Sequence, residues 1–478
     1  MNNTIFLIGC GPGDGERLTA EAINIIRRSE LVLGTERVLS GVRAYLGEAI
    51  SKPETTGQIL PKREVPDTEE AICAGEDAAK GNWIYTKTYT EDALNLILKY
   101  QKKKTKSNCQ DRTETGNSGG KTDTISVLYS GDSGFYSGAG KLSELLLKEG
   151  LTCEYIPGIS SLQYFAAKLQ ENWQDWLLLS VHGKTCNILK ELCKGKPVFL
   201  LTGSIAGGLR ILKELMDTGL SELPAAAGVK LSYPEESIIK GTAAEVLEAL
   251  ENKGGSSSAE AGLLVLLIYP PIHYNYRSPG ISDEEFTRGG RPMTKRAVRA
   301  LVMSALQVGE NDTVLDIGAG TGGMSIELSM QAGTVYAVEK EEEGIRLLGE
   351  NKRKFGAWNL HIIKGTAPEA LYGELKGVRA DKVFIGGSDG NLPEILNAVR
   401  ELYEGAEICL TAVTLETVSE ALLWFDASDY RTEITQITAA NSIEAGRKHL
   451  MKGENPVYII TGKRAADLSK GLKDKAVC

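Results

Sequence analysis

The chain has 478 residues, a net charge of −9, 53 glycines and only four histidines. At about 100–200 residues per domain, this length predicts two to four domains. The acidic charge balance disfavours a general nucleic-acid binder. Because the histidines are scattered and the eight cysteines contain no C-x-x-C pair, we expect no structural zinc site, redox dithiol or iron–sulfur cluster.

Neither secretion nor membrane insertion is expected from the sequence. The first residues, MNNTIFLIGCGPGDG, lack the basic and apolar regions of a secretory signal. The longest apolar run, at 263–268, is far too short to span a bilayer. Eight cysteines without a signal peptide are typical of reduced thiols, so we predict a cytoplasmic protein.

The beginning of the chain predicts an α/β unit. Residues 5–8 form an apolar run that predicts a buried strand, and a glycine-rich loop follows at 9–15. Thr19 is a good N-cap for the next helix, and 31–33 predicts the second strand. This strand–loop–helix–strand order is typical of α/β folds with parallel strands.

The rest of the first half predicts more strands and one insertion. Residues 101–124 contain no aliphatic or aromatic side chain, so they cannot bury apolar surface. We predict a mobile insertion loop there, with its lysines on a solvated surface. Further strands are predicted at 125–129, 155–156, 197–201 and 263–269.

The second half begins after a predicted linker. Residues 270–292 contain four prolines and three glycines, which indicates an interdomain linker with a structured end. Thr294 is predicted to cap the helix KRAVRALVMSAL. Strands are then predicted at 313–317, 334–339, 360–363, 382–385, 407–412 and 457–461. The predicted units are 1–270 (subdomains 1–125 and 126–270), the linker 271–292 and the domain 293–478.

The motif VLDIGAGTGG at 314–323 is the sharpest functional signal. A strand leads into a turn whose glycines let a ligand approach the backbone, and the following helix offers free N–H groups. Glu339 ends the next predicted strand, where it is placed to accept hydrogen bonds from ribose hydroxyls. The candidate loop residues are Gly318, Ala319, Gly320, Thr321 and Gly322.

Two cofactors compete for this motif. Its glycines satisfy G-x-G-x-x-G, which would indicate a nicotinamide-dependent oxidoreductase. Asp316 favours another ligand, because a carboxylate is awkward beside a pyrophosphate but suits a sulfonium and an ammonium group. S-adenosylmethionine is such a ligand, and D-x-G-x-G-x-G is the loop of class I methyltransferases. A methyltransferase is therefore the favoured hypothesis, the oxidoreductase is the alternative, and a purely structural glycine turn is a third possibility.

Two acidic glycine loops follow strands in the first half. They comprise Gly11, Pro12, Gly13 and Asp14 in one loop and Gly131, Asp132 and Ser133 in the other. Neither fits a P-loop, and acidic loops are poor phosphate cradles. They suit a cationic cofactor, although each alone is also explained as an ordinary Asp–Gly turn. Ser160 and Ser161, in a later Gly-Ile-Ser-Ser segment, strengthen the cofactor hypothesis.

A basic cluster precedes the first helix of the second half. It contains Arg288, Arg291, Lys295, Arg296 and Arg299. Its two readings are a solvated helical face and a clamp for a polycarboxylate, since arginine binds carboxylates in a bidentate manner. The predicted substrate-binding residues are Arg288, Arg291, Lys295 and Arg299.

These motifs together resemble a known group of enzymes. GPGDGERLT, SGDSGFYSGAG and PGISSLQ resemble the class III corrin-ring methyltransferases of cobalamin biosynthesis, which have two α/β domains. GGRPMTKRAVRAL, VLDIGAGTGGMSIEL, AVEK and GTAPEAL are similar to the decarboxylating C15-methyltransferases of that pathway. Apart from 101–124 and the C-terminal tail, nearly the whole chain resembles the fused precorrin-6B (precorrin-6Y) C5,15-methyltransferases.

The resemblance implies a fold, an activity and a set of site residues. It implies a class III unit of two α/β subdomains followed by a class I Rossmann-like domain. The implied reaction is methylation of a precorrin or cobalt-precorrin at C5 and C15, with loss of CO2 from an acetate side chain. It implies two S-adenosylmethionine sites per chain, a tetrapyrrole substrate and a homo-oligomer.

The residues carried over from the two families fall in both halves. Thr294, Gly318–Gly322, Glu339 and Ala367 are implied as cofactor contacts in the second half, and the two acidic loops with Ser160 and Ser161 in the first. One departure is Ser133, where many relatives carry proline. Serine loses the fixed φ of proline, so the loop has more freedom.

Overall fold

The computed structural model describes residues 4–13, 15–45, 83–86, 90–110, 123–181, 186–253, 263–270, 278–290 and 292–464. The chain divides into two compact units. The first contains Met1–Lys184, Phe199–Met216 and Pro224–Ile268, and the second contains Thr185–Val198, Asp217–Leu223 and Tyr269–Cys478. Residues 278–290, in the predicted linker, therefore belong to the second unit. The boundaries proposed from the sequence stay predictions.

The first unit begins with a parallel five-stranded sheet. Its strands, in the order β3-β2-β4-β1-β5, are β1 (Thr4–Gly9), β2 (Leu31–Gly34), β3 (Trp83–Thr86), β4 (Thr124–Tyr129) and β5 (Cys153–Ile156). Its helices are α1 (Ala20–Arg28), α2 (Glu36–Val42), α3 (Thr90–Gln110), α4 (Ala139–Lys148) and α5 (Ser161–Leu169). The Thr19 side chain accepts a 3.1 Å hydrogen bond from the Ala22 amide, which confirms the predicted cap of α1.

The predicted start of the insertion loop is wrong. Residues 101–110 continue helix α3 to Gln110, whereas the sequence predicted a loop from 101. Lysine and glutamine are good helix formers, so the helix can extend beyond its apolar face. The remainder of the predicted insertion up to 122 lies outside the described residues.

The first unit continues into a second sheet with antiparallel neighbours. Its strands, in the order β6-β7-β10-β8-β9, are β6 (Leu177–Ser180), β7 (Val198–Leu201), β8 (Pro224–Val229), β9 (Ser237–Thr242) and β10 (Leu264–Ile268). Strand β8 runs antiparallel to both β10 and β9. The helices in this stretch of sequence are α6 (Ile188–Leu192), α7 (Ile205–Asp217) and α8 (Ala243–Lys253).

The second unit contains a seven-stranded sheet and a hairpin. The sheet, in the order β13-β12-β11-β14-β15-β19-β16, comprises β11 (Thr313–Ile317), β12 (Thr334–Glu339), β13 (Leu360–Lys364), β14 (Lys382–Ile385), β15 (Glu407–Ala412), β16 (Tyr430–Ile437) and β19 (Val457–Arg464). Strand β19 is antiparallel to β15 and β16. The hairpin consists of β17 (Ala440–Ala445) and β18 (Lys448–Gly453).

Helices on the seven-stranded sheet complete a Rossmann-like domain. They are α9 (Arg296–Leu306), α10 (Gly323–Gln331), α11 (Glu342–Phe355), α12 (Glu369–Tyr372), α13 (Leu392–Leu402) and α14 (Leu415–Asp426). The α/β fold class predicted for both halves is confirmed. Among the described residues, no helix has the length and apolar content needed to cross a membrane.

The cap predicted for α9 is wrong. The helix begins at Arg296 with Lys295 at the N-cap, and the Lys295 side chain makes no capping hydrogen bond. Asp283 supplies the capping oxygen instead, because its Oδ1 accepts a 3.1 Å hydrogen bond from the Arg296 amide. A residue from the preceding segment therefore takes the role expected of Thr294.

Candidate functional site

In the first unit, the predicted glycine loops meet at one point. Gly11 and Gly131 form an antiparallel bridge, with N–O distances of 3.1 and 2.7 Å in the two directions. A Cβ atom on Gly158 would lie 2.5 Å from the carbonyl oxygens of both Gly131 and Gly9. Only a residue without a side chain allows this approach, so three chain segments meet there through their backbones.

Asp132 holds this junction together. Its Oδ2 accepts a 2.9 Å hydrogen bond from the Gly158 amide, and its Oδ1 accepts one of 2.9 Å from the Gly134 amide. The carboxylate therefore connects the second loop to the segment before α5. The acid that the sequence singled out as a cofactor contact also fixes the shape of the site.

The predicted serines support the same junction. Ser133 is buried, and its hydroxyl donates a 2.9 Å hydrogen bond to the Ile156 carbonyl. Ser160 caps α5 by accepting from the Gln163 amide, while the Gln163 side chain accepts from the Ser160 amide at 2.8 Å. This capping box fixes the start of α5 at Ser161. Asp14 lies outside the described residues.

A cavity of about 470 Å³ opens beside the junction. Five predicted residues line it: Pro12, Gly131, Asp132, Ser160 and Ser161. Strand residues of the second sheet, such as Leu264 and Val265, close its other side. Its volume is within the usual range of about 300–1,000 Å³ for small-molecule sites.

In the second unit, the predicted residues gather at one edge of the parallel strands. Ile317 pairs with Val338 on one neighbour and with Ile385 on the other, and Glu339 pairs with Lys364. The loops after β11, β12, β13 and β14 therefore leave the sheet side by side. Ligands of open α/β sheets bind at this carboxyl edge.

Asp316 is a buried acid with an unsatisfied oxygen. Its side chain is fully buried, Oδ2 accepts from the Ser325 hydroxyl, and Oδ1 has no hydrogen-bond partner among the described residues. Burial raises the pKa of Asp316 to about 7, the Ser325 hydrogen bond opposes the rise, and the charge of Glu339 adds to it. The buried Thr321 hydroxyl also lacks a hydrogen-bond partner in the part of the chain that the structure describes. An orphaned acceptor and an orphaned hydroxyl suit a polar, cationic ligand.

The glycine loop needs its glycines. Gly318, Gly320 and Gly322 have φ values of 75, 57 and 84°, a region that favours glycine. A Cβ on Gly318 would lie 2.6 Å from the Gly387 carbonyl oxygen, whereas one on Gly320 would meet no atom of the described residues within 4 Å. Gly320 therefore borders open space, and the Gly386–Gly387 turn is a neighbour that the site prediction missed. A glycine pair directly after the predicted strand 382–385 was the available signal.

Glu339 contacts the loop through hydrogen bonds. Its Oε2 accepts from the Gly320 amide at 2.7 Å and its Oε1 accepts from the Glu341 amide at 2.8 Å. Ala367 follows the adjacent strand β13 and packs, half-buried, against the core. Thr294 is half-buried, and its carbonyl accepts from Arg299 Nη1.

The basic cluster separates into residues with different roles. Arg299 is completely buried and its guanidinium is fully engaged: Nε lies 2.7 Å from Glu327, Nη1 lies 2.8 Å from Asp283, and Nη2 donates to the Ile281 carbonyl. The substrate role predicted for Arg299 is therefore wrong, because helical spacing does not reveal which face is covered. Lys295 is exposed and Arg288 half-exposed, and Arg291 lies outside the described residues.

Two family models match the chain. The model of the Tetrapyrrole (Corrin/Porphyrin) Methylases matches residues 4–247, just over half of the chain. The chain belongs to the tetrapyrrole methylases. A precorrin methyltransferase domain matches residues 284–464 of this methylase. The resemblance deduced from the motifs is thereby confirmed, and the methyltransferase hypothesis is favoured over the nicotinamide alternative.

Three relatives each cover about two fifths of this methylase. A probable cobalt-precorrin-6B C15-methyltransferase (decarboxylating) of Saccharolobus solfataricus is 38% identical over 200 residues, 40% of this chain and 100% of the relative. The Salmonella typhimurium C15-methyltransferase is 36% identical over 38% of this chain and 94% of its own length. The crystal structure of a precorrin-6y C5,15-methyltransferase from Geobacter metallireducens is 34% identical and covers 40% of this chain and 98% of its own, with a TM-score of 0.37.

Proposed function

We propose that this chain methylates a precorrin or cobalt-precorrin at C5 with its first unit and at C15 with its second unit, where an acetate side chain also loses CO2. The observation that carries the proposal is that one chain contains two separate glycine-loop sites, each within a region that matches a methyltransferase family. Because each set of glycine loops lies within its own unit, we propose one S-adenosylmethionine site per unit and two per chain.

The residues of the second unit fit this cofactor. Within the described residues, Asp316 offers an unpartnered oxygen, Thr321 offers an unpartnered hydroxyl, and a Cβ on Gly320 would meet no atom within 4 Å. Glu339 is placed for ribose hydroxyls, with Thr294 and Ala367 as further contacts. In the first unit, the junction of Gly11, Gly131 and Gly158 and the cavity beside it would hold a second molecule; Pro12, Gly13, Asp132, Ser133, Ser160 and Ser161 are the remaining proposed contacts, with Asp14.

S-adenosylmethionine, when bound, supplies an electrophilic methyl group on its sulfonium. The chain itself supplies position rather than general bases: the backbone junction and the cavity hold the reacting carbon in place and exclude water. We propose that Lys295, Arg288 and Arg291 hold carboxylates of the tetrapyrrole at the C15 site, because a chain with a net charge of −9 needs local positive charge to bind a polyacid.

The remaining proposals concern assembly and location. The β17–β18 hairpin is exposed throughout and carries Ile443, Leu450 and Met451, with Met451 67% exposed. An exposed apolar hairpin favours contact with a second copy, so we propose a homo-oligomer. Cysteine usage supports the cytoplasm as its location, and we propose no nucleic-acid or membrane partner.

The decisive experiment supplies cobalt-bearing and metal-free precorrin-6B in parallel, with methyl-labelled S-adenosylmethionine. We expect labelled methyl groups at C5 and C15 and release of CO2 with one of the two substrates. Calorimetry with S-adenosylhomocysteine should give two sites per chain, and NAD(H) should not bind. If methyl transfer occurred with neither substrate, the proposal would be refuted.

Asp316→Asn provides a matched control within the same chain. We expect this variant to lose C15 methylation and to keep C5 methylation, since Asp316 lies in the second unit alone. If both reactions stopped, the two sites would not act independently.

A further inference from the structure

Arg37 is the one cationic side chain among the described residues that line the cavity of the first unit. Arg37, in the first turn of α2, lines the cavity of about 470 Å³ together with Ser130 and Gly131. The one acidic side chain among those lining residues is Asp132, and both of its oxygens accept from backbone amides. The formal charges of Arg37 and Asp132 cancel, but the Asp132 oxygens are already bonded to backbone amides, so Arg37 is the residue of this lining that offers charged hydrogen-bond donors to a ligand.

The guanidinium of Arg37 is held by neutral groups. Its Nη1 donates to the Ser130 hydroxyl at 3.3 Å and to the Tyr233 hydroxyl at 3.1 Å. Within the described part of the chain, Arg37 has no carboxylate partner and Nη2 makes no hydrogen bond. The side chain is exposed, so its positive charge and its second set of donors face solvent.

Tyr233 is itself fixed in place. A Cβ on Gly13 would lie 2.2 Å from the Tyr233 ring, so the ring lies directly against the first glycine loop. The turn that carries Tyr233 is closed by Glu236, which accepts a 2.7 Å hydrogen bond from the Ser232 amide and pairs with Lys168. The Arg37 guanidinium is therefore oriented before any ligand arrives, which lowers the entropic cost of binding.

We propose that Arg37 is a substrate-binding residue that anchors a carboxylate of the tetrapyrrole in the C5 site, with Ser130 and Tyr233 as positioning residues. An oriented guanidinium with free donors matches the planar fork of a carboxylate. The inference rests on the proposed function, because that function supplies the polycarboxylate. S-adenosylmethionine also carries a carboxylate, so the test separates the two sources.

The test compares Arg37→Gln, Arg37→Lys and the control Arg210→Gln in the full chain. Arg210 is exposed on α7 and does not line the cavity. Loss of a charged hydrogen bond should raise the KM of the tetrapyrrole for C5 methylation by roughly 10–100-fold in Arg37→Gln. Arg37→Lys should restore part of this loss, and C15 methylation by the same chain and the Kd of S-adenosylhomocysteine should not change.

The other results distinguish a failure of this inference from a failure of the proposed function. A weaker Kd for S-adenosylhomocysteine with an unchanged KM would assign Arg37 to the cofactor carboxylate, and no change in either would remove its role. If Arg37→Gln lost C15 methylation too, the comparison of Arg37→Lys with wild type decides. Because lysine keeps the charge but lacks the planar fork, a raised C5 KM with intact C15 methylation supports the bidentate anchor, and an unchanged C5 KM refutes it. Failure of wild-type C5 methylation would refute the proposed function instead, and direct binding of the tetrapyrrole to wild type and Arg37→Gln would still test Arg37.

Discussion

The buried pair of Arg299 and Glu327 predicts a large stability effect without a matching effect on substrate binding. Both side chains are almost completely inaccessible, at 0 and 1% exposure. Glu327 also accepts from the Gly280 and Ile281 amides at 2.9 and 3.1 Å, which ties the segment before α9 to α10. Removing Arg299 leaves the Glu327 carboxylate buried with two amide donors and no counter-charge.

The expected magnitude follows from that geometry. Breaking a buried ion pair by removing one partner costs about 3–5 kcal/mol. At about 2–4 °C per kcal/mol for a unit of roughly 200 residues, Arg299→Met should lower the melting temperature of the second unit by roughly 6–20 °C. Adding Glu327→Gln removes the stranded charge and keeps an acceptor for the two amides, so the double variant should recover much of the loss.

Calorimetry of the full chain measures the transition, and hydrogen exchange of peptides from 278–306 identifies the unit that melts. The KM of the tetrapyrrole for C15 methylation, measured well below the melting temperature, should stay within a few-fold of wild type. A stable Arg299→Met variant with a strongly raised KM would refute this reasoning and restore the substrate clamp predicted for Arg299.

Three further predictions concern other parts of the chain. Burial raises the pKa of Asp316 from 3.8 to about 7, so the folded state holds this proton more tightly than the unfolded state, and the free energy of unfolding should fall as pH rises from about 4 through 7. In denaturant titrations without cofactor, Asp316→Asn should abolish this pH dependence. A variant with the same pH profile as wild type would contradict the prediction. Gly158→Ala places a Cβ 2.5 Å from two carbonyl oxygens and should abolish C5 methylation, but not C15 methylation, in the labelled-methyl assay. The control is Gly140→Ala, whose Cβ would meet no described atom within 4 Å and which should change neither methylation. A double variant, Leu450→Lys with Met451→Lys, should reduce the mass measured by light scattering if the hairpin joins copies of the chain, and an unchanged oligomer would exclude that contact.

The sequence predicted the elements whose signals are local. The strands at 313–317 and 334–339 match β11 and β12 to the residue, because each is a short β-prone run placed directly before a glycine loop or an acidic turn. The glycine loops were found for the same reason, since their conformations depend on residues adjacent in the chain. Strands β16 to β18 were missed because their exposed residues show little apolar alternation.

Contacts between distant residues could not be predicted in this way. Arg37 and Tyr233 are separated by 196 positions, and no spacing rule connects them. Arg299 had the right charge and helical position for a clamp, but Glu327 and Asp283 are brought to it by two other segments. The two roles of Asp132 also depend on the arrival of Gly158 from beyond β5.

The bond between Glu339 and Gly320 has a consequence for protein engineering. The carboxylate proposed to bind a ribose also accepts a hydrogen bond from the Gly320 amide and so constrains the conformation of the glycine loop. A redesign toward cofactor analogues with altered sugars cannot treat Glu339 as an independent specificity position. Any replacement has to provide a new acceptor for the Gly320 amide. Otherwise the conformation of the glycine loop changes together with the preference for the cofactor sugar.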